Sequence, residues 1–187
     1  MAKKSKKFKR QRLQTPPCRY SRDKIKKAIK KETVEKQGIS ARTISCFLAS
    51  CPDFLGCFAQ DELDTIHIKS LPVYLVVNFD HSSSVGTHWI ALRISKNVLE
   101  IFDPLGFNTK RWPNIPHFLL NFLNKYSTHR KIRLSKEIQP FNSTLCGFYC
   151  IFFVLYRSYN TFGSCANLFS NHLYKNDHIL YNVFNKI

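Results

Sequence analysis

The run Cys146-Gly147-Phe148-Tyr149-Cys150-Ile151-Phe152-Phe153-Val154-Leu155-Tyr156 constrains this chain more than any other segment. As a helix it offers no polar face to water, so it belongs at the centre of a core. It falls well short of the ~20 apolar residues that cross a bilayer, and no membrane partner is expected. A polar loop, Asn142-Ser143-Thr144, leads into it. A helix predicted over 146–159 therefore starts abruptly at a cysteine. Its sulfur sits where unpaired backbone N–H groups favour a thiolate.

The remaining elements follow from periodicity and punctuation. Residues 72–79 form an apolar, β-branched run and read as a buried strand. Residues 88–95 and 98–102 read as a hairpin around Lys96-Asn97. A helix is predicted over 115–126 with Phe118, Leu119, Phe122 and Leu123 inward, followed by an edge strand over 131–134. Ser40 caps a helix to about residue 50, with Ile44, Phe47, Leu48 and Cys51 on one face. Two short amphipathic helices are expected over 165–174 and 178–184. A further helix over 21–37 carries only a thin stripe of Ile25, Ala28 and Ile29, and is expected to order on a partner. Helices before and after a run of strands predict the α+β class.

Three residues at element boundaries complement Cys146. His88 opens the first hairpin strand and Asp103 closes the second. Antiparallel pairing brings those ends together, so the carboxylate reaches the imidazole and can fix its tautomer. Gln139 lies just upstream of the cysteine loop, where its amide can donate to a developing oxyanion beside the Cys146 backbone N–H. Base, orienting acid, oxyanion donor and thiol are the parts of a cysteine peptidase. Each alone has an ordinary structural reading: a strand-start His, a turn-capping Asp, a loop Gln, a packing Cys. Their joint order carries the argument.

Charge divides the chain. The formal net charge is +17, and basic residues crowd into 1–38, with Lys3, Lys4, Lys6, Lys7, Lys9, Arg10 and Arg12 leading. Such a block favours polyanions, nucleic acid first, and reads also as a nuclear-entry signal. We therefore divide the chain into a basic extension, 1–38, and a catalytic domain, 39–187. Seven cysteines without a secretory leader read as reduced thiols. There is no C-x-x-C pair, so no metal site is expected.

The quoted segments resemble a known family. Gly86-Thr87-His88-Trp89-Ile90-Ala91, Ile101-Phe102-Asp103-Pro104-Leu105-Gly106-Phe107 and Gln139 through Cys150 are similar to the G-x-H-W-M-A, L-F-E-P-F-G-F and Q-G-P-N-S-A-A-C-G-L-F-C segments of the adenovirus proteases (adenain). That family shares a clan with the SUMO-deconjugating Ulp-type proteases. Phe54-Leu55-Gly56 and Val76-Val77-Asn78 match further F-L-G and I-V-N segments. The resemblance implies a central mixed sheet packed by helices, with His88 as base, Asp103 as orienting acid, Gln139 as oxyanion donor and Cys146 as nucleophile. It also implies that Trp89 walls a narrow substrate groove; Gly147, directly after the thiol, is read as letting backbone and substrate approach closely.

The implied activity is a viral cysteine endopeptidase that cuts capsid or core precursor proteins at small-residue, Gly-containing sites, as a monomer, in the host nucleus and virion. No cofactor is needed for the chemistry. The basic extension would bind DNA, a candidate activator. Near Lys131, where the family's activating peptide forms its disulfide, this chain has no cysteine, so no disulfide-linked peptide activator is expected. Three rivals remain: a deconjugase of ubiquitin-like modifiers, an acetyl transferase with the same arrangement, and a basic DNA-binding scaffold retaining a vestigial protease fold.

Overall fold

In the computed structural model, residues 22–35, 38–84, 86–107 and 115–184 are described. Five strands form one sheet in sequence order: β1 (Phe54–Ala59), β2 (Val73–Asn78), β3 (Trp89–Ile94), β4 (Val98–Phe102) and β5 (Lys131–Leu134). β2–β3 and β3–β4 are antiparallel, while β1–β2 and β4–β5 are parallel. The sheet is therefore mixed and the class is α+β, as expected.

Every residue of β2 is buried, because both sheet faces are covered. The strand period of two sends Val73, Leu75 and Val77 to one core and Tyr74 and Val76 to the other. The first of these cores packs under α3 (His117–Ser127) and a 3-10 segment, Gln60–Thr65. The second surrounds α4 (Cys146–Arg157), with α1 (Arg22–Glu35), α2 (Ala41–Leu48) and α6 (Asn176–Val183). Every residue of α4 from Cys146 to Leu155 is buried. Phe153 stacks on Phe102 of β4 at 4.5 Å. The apolar helix is thus the hub that its composition demands.

Several expectations are corrected. Ile25 and Ile29 of α1 are buried in the α4 core, so the thin stripe is enough for the domain itself to order this helix. Phe118 is only half-buried; Leu119, Phe122 and Leu123 carry the inward face of α3. β1 lacks polar–apolar alternation and carries a register shift between Phe54 and Gly56, so its pattern does not announce a strand. Near the C-terminus α5 (Phe162–Asn167) starts earlier than expected, because Thr161 caps it by accepting from Ser164 N at 3.2 Å. A 3-10 turn (Leu173–Lys175) then leads straight into α6. No helix among the described residues is long and apolar enough to cross a membrane.

Candidate active site

The β3–β4 hairpin builds the first half of the site. Ala91 pairs with Phe102, so His88 and Asp103 fall at the same end of the hairpin. His88 is 4% exposed and Asp103 fully buried. His88 Nε2 donates to Asp103 Oδ1 at 2.8 Å. Oδ1 also accepts from Leu105 N at 2.9 Å. The Asp103 backbone is held from β5's end by Ser135, whose hydroxyl accepts from Asp103 N (2.8 Å) and donates to Asp103 O (2.7 Å). Phe79 stands edge-on to the imidazole at 5.2 Å. Upstream, Asp80 accepts from both the backbone and hydroxyl of Thr87, fixing the turn into His88. Gly86, at φ 89°, allows that turn: a Cβ there would lie 2.5 Å from Asn78 Nδ2.

Cys146 supplies the second half. It is the first residue of α4 and 7% exposed. It borders the same crevice as His88 and is among the groups that raise the imidazole's pKa. Asp103 occupies Nε2, so Nδ1 is the nitrogen left for sulfur. Burial alone would depress the His88 pKa. Hydrogen bonds and charge from Asp103 and Cys146 outweigh it and hold the imidazolium up at about 9.

Gln139 joins the two halves. Its backbone N–H and that of Ile138 both donate to Pro104 O, at 2.8 and 2.9 Å. Its carboxamide Nε2 donates to Ser143 O at 2.7 Å. Gln139 is 1% exposed, yet it lines, with His88 and Cys146, a crevice of about 550 Å³.

Trp89 also lines this crevice. Its indole Nε1 donates to Ile39 O at 3.0 Å, and Cys150 Sγ contacts Trp89 O at 3.4 Å. Gly147 is placed differently from expectation. It is buried in α4, and a Cβ there would collide with Ile39 Cγ2. The close approach it permits is that of Ile39, not of substrate. Sequence reasoning missed Ile39, a crevice wall, and Phe141, which stands 85% exposed on the rim. Phe141 had a signal, as a bare aromatic in the polar cysteine loop; Ile39 had none. The basic residues Lys3, Lys4, Lys6, Lys7, Lys9, Arg10 and Arg12 lie outside the described residues. Among the described residues no three His, Cys, Asp or Glu side chains gather as a metal site.

A sequence model of the adenovirus endoprotease matches residues 28–180, from within α1 to within α6. The chain belongs to the adenovirus endoprotease family. It is accordingly a cysteine endopeptidase, a hydrolase whose substrates are proteins. Among curated proteins, none matches it significantly. The family match covers most of both cores and includes His88, Asp103, Gln139 and Cys146.

Proposed function

We propose that this member of the adenovirus endoprotease family cuts viral capsid or core precursor proteins through Cys146, His88, Asp103 and Gln139. One observation carries the reading: a buried imidazole bonded to a carboxylate shares a crevice with a thiol at the start of a helix. The Cys146 thiolate attacks the scissile carbonyl carbon, and the C=O pair moves to oxygen. Gln139 Nε2 and Cys146 N donate to that oxyanion. The His88 imidazolium gives its proton to the leaving amine as the C–N bond breaks. Neutral His88 then takes a proton from water, which attacks the thioester and releases Cys146. Asp103 keeps the imidazole oriented and stabilises its charged form. Trp89 and Ile39 narrow the crevice, which suits small residues such as Gly before the cut. The protease acts in the host nucleus and virion. DNA binds the extension through Lys3, Lys4, Lys6, Lys7, Lys9, Arg10 and Arg12 and serves as activator; no other cofactor enters the chemistry. The intact His88–Asp103 bond supports a working enzyme over a vestigial scaffold.

The test is cleavage of short Gly-containing peptides beside a ubiquitin-like modifier fused to a fluorophore. Peptide cutting by wild type, abolished in Cys146→Ala, is expected. Cleavage of the modifier alone would replace this reading with deconjugation. Removing residues 1–20 should weaken DNA affinity and flatten its salt dependence; unchanged affinity would remove DNA from the account.

A further inference from the structure

The loop from Gln139 to Cys146 has to present two donors to one oxygen, yet it has no regular structure of its own. It is held from the far C-terminal end of the domain. Asp177, in the first turn of α6, accepts through Oδ1 from Ser143 Oγ at 3.0 Å and from Tyr149 OH at 3.0 Å. Ser143 is the junction of the loop. Its hydroxyl oxygen accepts from Leu145 N at 3.2 Å, one residue before the nucleophile. Its carbonyl accepts from Gln139 Nε2 at 2.7 Å. The preceding residue of α6 grips the other end: Asn176 is fully buried, and its Nδ2 donates to Ile138 O at 2.7 Å, directly before Gln139.

These bonds fix a direction. A carboxamide nitrogen has two N–H groups. One is spent on Ser143 O, which sets the plane of the amide and leaves the other to point elsewhere. Gln139 and Cys146 border the same crevice. Turning the Ser143 hydroxyl away would free Leu145 N, and any shift of the Ser143 backbone that followed would carry the acceptor of the Gln139 amide with it. The Asp177 carboxylate holds that hydroxyl in place, while Ser143 N donates to Pro140 O at 3.0 Å and steadies the backbone. Tyr149 is fully buried in α4, one turn beyond Cys146, so Asp177 also ties the loop to the nucleophile's own helix.

We infer that Asp177 is a positioning residue of this protease, which acts through Ser143 to aim the Gln139 amide and the Cys146 backbone N–H at the oxyanion. The inference rests on the proposed roles of Gln139 and Cys146. Asp177 touches no substrate; it determines where two donors stand. Displacing a reacting group by about 1 Å can cost ~100-fold in rate, and losing one oxyanion donor costs ~100- to 1000-fold. Asp177→Ala should therefore lower kcat by about 10- to 100-fold.

Alkylation distinguishes this role from simple support of the fold. Iodoacetamide reacts at a saturated carbon and forms no oxyanion, so its rate reports the thiolate–imidazolium pair alone. Asp177→Ala and Ser143→Ala should each lower kcat on a Gly-containing peptide, with KM and the Cys146 alkylation rate staying within about threefold of wild type. Asp177→Asn, whose amide oxygen still accepts from Ser143, should restore most of the lost kcat. Unchanged kcat in Asp177→Ala would overturn the inference while leaving the proposed function intact. So would a parallel fall in kcat and alkylation, or failure of the Asn variant to recover when its melting temperature equals that of wild type. A wild-type protein that cuts no peptide would overturn both.

Discussion

His88 and Asp103 meet through a single carboxylate oxygen, Oδ1, at 2.8 Å, with both residues buried. The same oxygen takes the Leu105 N–H, so the carboxylate is immobilised by its own turn before it holds the ring. This relationship raises the imidazolium well above its ordinary range and sets the pH behaviour of the site.

Activity should fall on the alkaline side near pH 9, as the imidazolium loses its proton. In Asp103→Asn, burial acts without the opposing carboxylate, so that limb should move to lower pH. A pH profile of kcat/KM for the two proteins checks this. A limb unmoved by the substitution would detach Asp103 from the base.

Stability should follow the same group. His88 is raised from 6.5 to about 9 in the fold. A raised value adds stability that is complete below the unfolded pKa and is lost as pH rises through the folded one. Between pH 6.5 and 9, wild type should lose melting temperature relative to His88→Gln. Parallel curves for the two proteins would contradict the assignment.

Gly147→Ala should damage the crevice wall. The new Cβ collides with Ile39 Cγ2 and falls 3.1 Å from Ile44 Cδ1. Overpacking of this kind costs about 1–3 kcal/mol. Moving the Ile39 backbone to relieve the clash would disturb its carbonyl bond to the Trp89 indole. Loss of stability by thermal melt, together with a fall in kcat/KM, is the expected outcome.

Outside the crevice lining, Glu100 of β4 is fully buried beneath arginines. Arg157 donates to both its oxygens, at 2.8 and 2.9 Å, and Arg133 lies 3.4 Å away. Glu100→Ala removes the carboxylate these arginines share; because both keep access to water, the loss should be about 1.5–3 kcal/mol of stability. Denaturant unfolding should show that loss, with cleavage per folded molecule unaltered.

Much of this was legible in the residues. The apolar segment after Thr144 fixed the central helix, and the hairpin register followed from two β-branched runs around a turn. His88, Asp103, Gln139 and Cys146 each stand at an element boundary, where function is visible against a structural background. What stayed hidden is what depends on contact between distant segments. Ile39 is an ordinary aliphatic residue until Gly147 makes room for it. Ser135 and Asp177 are single polar residues with no local pattern, and their partners lie 32 and 34 positions away. α1 looked too thinly apolar to fold because a stripe of two isoleucines says nothing of the core that receives it.

The central claim is that Cys146 is the nucleophile, activated by His88. Burial raises four of the competing thiols: Cys57 to about 11 and Cys165 to about 12, with Cys51 and Cys150 also pushed up. The direct measurement is the rate of iodoacetamide modification at every cysteine near neutral pH, read by peptide mapping, in wild type and His88→Ala. The account predicts that Cys146 reacts first in wild type and loses that lead in the variant. A Cys146 that reacts no faster than Cys57 or Cys165, or equally fast without His88, would contradict it.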